Sequence, residues 1–110
     1  MKRILVIDDE EQLRHLVQLA MEKAGFEVET ACDGKEGIEK FDADEFDVVV
    51  TDIQMPGMDG HQVARHIRES RRPGTKVVGL TGKPFISDFD KIYHKPYSLR
   101  DLAEEIKQIA

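Results

Sequence analysis

DVVVTD, residues 47–52, sets three β-branched apolar residues in a row, then a threonine, with an aspartate at each end. A strand with one wet face alternates apolar and polar side chains. An unbroken apolar run means a strand covered on both faces, as in a parallel sheet enclosed by helices. RILVID at 3–8 and KVVGLT at 76–81 have the same form. FEVETA at 26–31 alternates and reads as an edge strand, and the weaker DKIYHK at 90–95 reads as another edge.

Helical patterns fill the intervals. Residues 10–24 place Leu13, Leu16, Val17, Ala20 and Ala24 on one face, with Gly25 just past the end. Asp33 and Glu36 have capping-box spacing ahead of Ile38 and Phe41, and Asp59 and Gln62 repeat it ahead of Val63 and Ile67. Arg68, Arg71 and Arg72 suit the negative end of that helix, which is a simpler reading than a nucleic-acid patch. Ser98 and Asp101 cap a last helix carrying Leu99, Leu102, Ala103 and Ile106. Strand and helix thus alternate three times. Two strands with no clear helix between them and a final helix follow. The order predicts an α/β fold with a parallel sheet.

The 110 residues predict one domain, 1–110, with 40% hydrophobic and 35% charged content as in a soluble globular protein. A net charge of −6 argues against nucleic acid as a direct partner and suits a cation or a basic surface. No apolar run approaches a membrane span, and the start MKRILVIDD is not a signal peptide. The expected compartment is the cytoplasm. The lone Cys32 reads as a packing residue. His15, His61, His66 and His94 lack metal-ligand spacing, Met55 and Met58 read as local packing around a Pro-Gly turn, and TGK at 81–83 lacks the glycines of a phosphate loop.

What ends the buried strands carries the chemistry. The first ends in Asp8 and Asp9, the third in Asp52, the fourth in Thr81 and the fifth in Lys95. Ligands of open α/β sheets bind outside the carboxyl ends of the strands. Three carboxylates, a hydroxyl and an ammonium are therefore expected on one rim. Carboxylates so crowded repel one another, and a hard divalent cation such as Mg2+ relieves that. One of them could attack phosphorus and form an aspartyl phosphate, its charge met by the cation and Lys95.

VIDDE with Asp8 and Asp9, VVVTDIQMPGMDG with Asp52, LTG with Thr81 and HKP with Lys95 stand in order along the chain. In these residues the chain resembles the receiver domain of two-component response regulators, of the chemotaxis-regulator kind, over essentially its full length. The resemblance implies a doubly wound five-stranded parallel sheet in flavodoxin-like order 2-1-3-4-5. It implies that Asp52 accepts a phosphoryl group from a phosphohistidine on a sensor histidine kinase or phosphotransfer protein. Asp9 would bind Mg2+ directly and Asp8 through water; Asp52 and the Gln54 backbone carbonyl would complete the protein ligands. Thr81 would bond the phosphoryl oxygen and Lys95 would pair with it, with a cis bond to Pro96. Pro56, Gly57 and Gly60 would shape the loop after Asp52. Such a protein is a signalling phosphoacceptor rather than an enzyme of metabolism; it catalyses only its own phosphorylation and dephosphorylation.

The sequence departs from the family pattern in LTGKPFISDFDKIYHKP, residues 80–96. Thr81 and Lys95 are fourteen positions apart, about one helix fewer than usual in the family, so the fourth crossover helix is expected to be shortened or absent. About ten extended residues still reach ~33 Å. At least two of Phe85, Ile86 and Phe89 are expected to lie over the strands that this helix would have covered. The position of the family's switch aromatic holds Ile92, with Tyr93 beside it on the opposite face.

Three readings of function follow. The first is a single-domain regulator, phosphorylated at Asp52, acting on an unidentified output protein; a receiver cut from a longer protein would read the same way. The alternative is an interaction module of the same fold that phosphorylation does not switch. The third, an aspartyl-phosphate hydrolase, needs a second carboxylate two residues past the nucleophile, where this chain has Gln54.

Overall fold

A computed structural model describes residues 2–81, 91–94 and 98–110. The elements run β1 (Arg3–Ile7), α1 (Glu11–Lys23), β2 (Glu27–Ala31), α2 (Gly34–Ala43), β3 (Val48–Asp52), α3 (Gly60–Arg68), β4 (Lys76–Thr81), β5 (Lys91–His94) and α4 (Leu99–Ile109). The strands form one sheet in the order β2-β1-β3-β4-β5, every neighbouring pair parallel. This is the doubly wound order expected from the resemblance. The two strands read as edges are the edges, and β2 keeps its alternation of exposed and partly buried residues.

The continuous apolar runs are explained by two cores, one on each face. On β1 and β3, Ile4, Val6, Val48 and Val50 point to one side, where Val17 and Met21 of α1 and Leu102 and Ile106 of α4 meet them. Leu5, Ile7 and Val49 point to the other, against Phe41 of α2 and Val63, Ala64 and Ile67 of α3. Period-two alternation with apolar residues at both phases buries both faces. Among the described residues, no helix is long and apolar enough to cross a membrane.

The helix ends follow their caps. α1 closes with Gly25 at φ +100°. The Gly25 N–H donates to Glu22 O at 3.0 Å and the Phe26 N–H to Met21 O at 3.1 Å, a Schellman motif that only glycine enters cheaply. Asp59 and Gln62 form a reciprocal capping box. Asp33 accepts from the Glu36 N–H, but Glu36 does not return the bond. Its carboxylate accepts from the Cys32 N–H at 2.7 Å instead. Ser98 caps α4 through the Asp101 N–H.

Three expectations are corrected. Leu16, assigned to the buried face of α1, is 49% exposed, because Val17 and Met21 define that face and Leu16 falls on its flank. Cys32 is exposed rather than packed. Partial desolvation, with Glu36 and Asp33 beside it, pushes its thiol pKa up and away from thiolate reactivity. The arginines do not all serve α3. That helix stops at Arg68, and Arg72 crosses to α2, where it donates to Phe41 O and to Asp44 O and lies 4.9 Å over the Phe41 ring. It thus satisfies carbonyls at the end of α2.

Residues 82–90, including Phe85, Ile86 and Phe89, lie outside the described residues, as do Lys95 and Pro96 and the side chains of Thr81, Ile92 and Tyr93. The expectations about the short crossover and the aromatic position fall there.

Candidate functional site

The order of the sheet makes the site. β1 lies between β2 and β3, so chain order reverses at β1, and a crevice opens beyond the strand ends at such a point. Ile7 pairs with Thr51, so the residues that follow, Asp8 and Asp52, emerge side by side. Asp9 completes the group: Asp8, Asp9 and Asp52 each offer a carboxylate oxygen, and these oxygens all lie within 4.8 Å of one another. Asp8 and Asp52 are buried, at 1% and 3% exposure, and Asp9 is exposed.

Local bonding holds this arrangement. The Asp8 N–H donates to Ala31 O at 3.1 Å. Its side chain accepts from the Glu10 N–H at 2.9 Å, which fixes the turn into α1. The Thr51 hydroxyl donates to Asp52 O at 2.9 Å. After β3 the chain still pairs with β4, Ile53 N–H to Leu80 O at 2.9 Å, and the loop returns so that the Gly60 N–H reaches Ile53 O at 3.0 Å. Within that loop Met55 is buried and Gly57 takes φ +74°.

Paired charges at this separation repel by roughly 3–4 kcal/mol at an effective dielectric near 20. The donor set is all carboxylate oxygen, with no histidine or cysteine in the group, and two of its members are withdrawn from water. That set fits a hard divalent cation such as Mg2+, which prefers oxygen, and not a thiolate- or imidazole-seeking metal.

Gln54 lies two residues past Asp52, with its side chain exposed. Thr81 ends β4, one residue beyond the position paired with Asp52, and its backbone pairs with His94 of β5. The strand that leads to Lys95 therefore ends beside Thr81; Lys95 itself lies outside the described residues.

Arg14 escaped the reading of the sequence. Its guanidinium donates to Asp8 O at 2.9 Å, bracing the carbonyl between the two acidic residues from one turn into α1. A basic residue six positions after Asp8 was the only signal, and charge spacing alone does not specify a bond to backbone. Arg14→Ala is expected to weaken Mg2+ binding several-fold, toward the tenfold loss typical of outer-shell partners. Removing a positive charge near a cation site would by itself tighten binding, so a calorimetric titration showing stronger binding would refute a bracing role.

The response regulator receiver domain model matches residues 4–107. The chain is 36% identical over 117 residues to the response regulator receiver protein CpdR of Brucella abortus, covering 99% of this chain and 97% of that one. It is 37% identical over 113 residues to the transcriptional regulatory protein TrcR of Mycobacterium tuberculosis, covering 96% of this chain but 44% of TrcR. The chain thus spans nearly all of CpdR and under half of TrcR. Among solved structures, the response regulator TrrA of Thermotoga maritima, in complex with magnesium and beryllofluoride, superposes with a TM-score of 0.91 at 34% identity over all of both chains. TrrA in complex with the histidine kinase ThkA gives 0.87 at 35% identity, over 99% of this chain and 98% of TrrA. The match spans the residues that build the sheet, its two cores and the acidic crevice, and the chain belongs to the response regulator receiver domain family.

Proposed function

We propose that residues 1–110 act as one cytoplasmic receiver unit that takes a phosphoryl group on Asp52 from a phosphohistidine of a sensor histidine kinase or phosphotransfer protein, with Mg2+ as cofactor. The observation that carries this reading is the convergence of three carboxylates within 4.8 Å at the carboxyl ends of β1 and β3, with Asp52 almost wholly buried. TrrA, a relative of the same fold, is known with magnesium and beryllofluoride and with a histidine kinase.

The residues divide the work. An Asp52 carboxylate oxygen attacks phosphorus, forming the P–O bond as the P–N bond to the donor imidazole breaks, and the imidazole keeps the electron pair and takes a proton. Asp8 and Asp9, with Asp52 and the Gln54 carbonyl, would hold the cation. Mg2+, when bound, offsets the charge on the phosphoryl oxygens. Burial of Asp52 limits water at the reacting atoms. Thr81 would donate to a phosphoryl oxygen and Lys95 would pair with it. Signalling then proceeds by altered binding to an output protein, with no direct part for nucleic acid or membrane.

Incubation with Mg2+ and a small acyl phosphate tests the reading. Intact-mass measurement should show one added phosphoryl group, stable in acid and labile in base, and none when the metal is chelated. No adduct, either from acyl phosphate or from a competent phosphohistidine donor, would favour a binding module that phosphorylation does not switch.

A further inference from the structure

α1 and α4 pack together over one face of the sheet, and a groove of about 450 Å³ runs between their outer flanks. Its floor is Ala20, Ala24 and Ala103, side chains small enough to let another backbone approach closely. Its rim carries Lys23 and Arg100, beside Lys107, which pairs with the rim's acid, Glu104, at 3.7 Å. On a chain of net charge −6, this groove is locally positive. The remaining acids of α4, Asp101 and Glu105, project about 100° and 140° round the helix from Arg100, away from it. Leu16 and Leu19, 49% and 48% exposed, extend the apolar surface. By helical spacing Leu16 stands one turn before Ala20, and Leu19 one turn before Lys23.

We propose that this groove docks an acidic amphipathic helix of a partner protein. Two helices side by side offer a third a seat at the 8–10 Å interaxial spacing of ordinary helix packing. The alanine floor would receive apolar side chains at i, i+3, i+4 and i+7, as in other helix-in-groove recognition. The basic rim selects acidic flanks and disfavours basic ones. Ala20 lies nine residues into α1 from Glu11, about 14 Å along the helix from the acidic crevice, so occupation of the groove leaves Asp52 accessible.

The test titrates the whole 110-residue chain with a helical peptide of about 20 residues, leucine at i, i+3, i+4 and i+7 and glutamate on both flanks, and reads backbone amide NMR shifts. A companion peptide carries lysine for glutamate. The acidic peptide should bind saturably, shifting Ala20, Ala24 and Ala103, with affinity that weakens with salt. The double variant Lys23→Glu/Arg100→Glu alters two exposed side chains. It should lose about tenfold or more in affinity and still take up a phosphoryl group at the wild-type rate, which separates this result from any failure at Asp52. The idea is overturned if neither peptide binds, if both bind equally, or if the shifts lie elsewhere. Self-association without peptide that Leu16→Ser abolishes would overturn it in favour of a second copy of the chain.

Discussion

Asp52→Asn is expected to remain folded, to be more stable than wild type without metal, and to take up no phosphoryl group from acyl phosphate. The substitution keeps shape and removes one of three charges whose oxygens lie within 4.8 Å of one another. Relief of that repulsion should raise stability by about 1–3 kcal/mol in the presence of chelator. With Mg2+ the gap should close or reverse, because wild type binds the cation with one more anionic ligand and gains about 2.7 kcal/mol at a hundredfold excess over Kd. Denaturation midpoints with chelator and with Mg2+, beside intact masses, give the full comparison. If Asp52→Asn were less stable than wild type in chelator, the carboxylates would not be in mutual repulsion. If it gained a phosphoryl group, the acceptor would lie elsewhere.

Gly60→Ala should produce the largest loss of stability among single-methyl changes near the crevice. A Cβ at Gly60 would stand 2.7 Å from both Asp52 O and Ile53 Cα, and these are backbone atoms that cannot rotate away. Helix propensity pulls the other way, since alanine is favoured over glycine by about 1 kcal/mol inside a helix. Overpacking of this kind costs about 1–3 kcal/mol or more, so the net change should be destabilising. It should also weaken Mg2+ binding, because the atoms pushed are those that hold Asp52. Gly37→Ala is the control. Its Cβ would clash with the Ile7 side chain, which has a torsion to yield with, so its cost should be smaller and Mg2+ affinity little changed. Equal effects of the two changes on metal binding would remove the special place given to Gly60.

The buried strands and the acidic crevice were legible because each rests on a local pattern: continuous apolar runs for β1, β3 and β4, and carboxylates where the first two of those runs stop. What was not legible depended on partners far along the chain. Leu16 fits the apolar stripe of α1 by spacing, yet whether it is covered depends on how far α4 overlaps that flank. Arg72 looked like the end of its own helix, but it is 31 positions from Phe41, whose carbonyl it satisfies. Arg14 acts on a backbone atom, which leaves no mark in residue type; Gly60 was read as shaping the loop after Asp52, and the structure adds the backbone atoms it abuts. Cys32 was misjudged because small apolar character favours burial only where an element turns that position inward.

The sheet separates two cores that share no side chain across it, since Ile4, Val6 and Val50 belong to one and Leu5, Ile7 and Val49 to the other. Substitutions on opposite faces should therefore add in their effects, while those on one face couple. The carboxylates hang from the partition itself rather than from either layer. Past the first turn of α1, whose Arg14 braces Asp8, substitutions on the outer α1–α4 flank should leave metal binding unchanged, whereas those in the α2–α3 layer should disturb the loop behind Asp52.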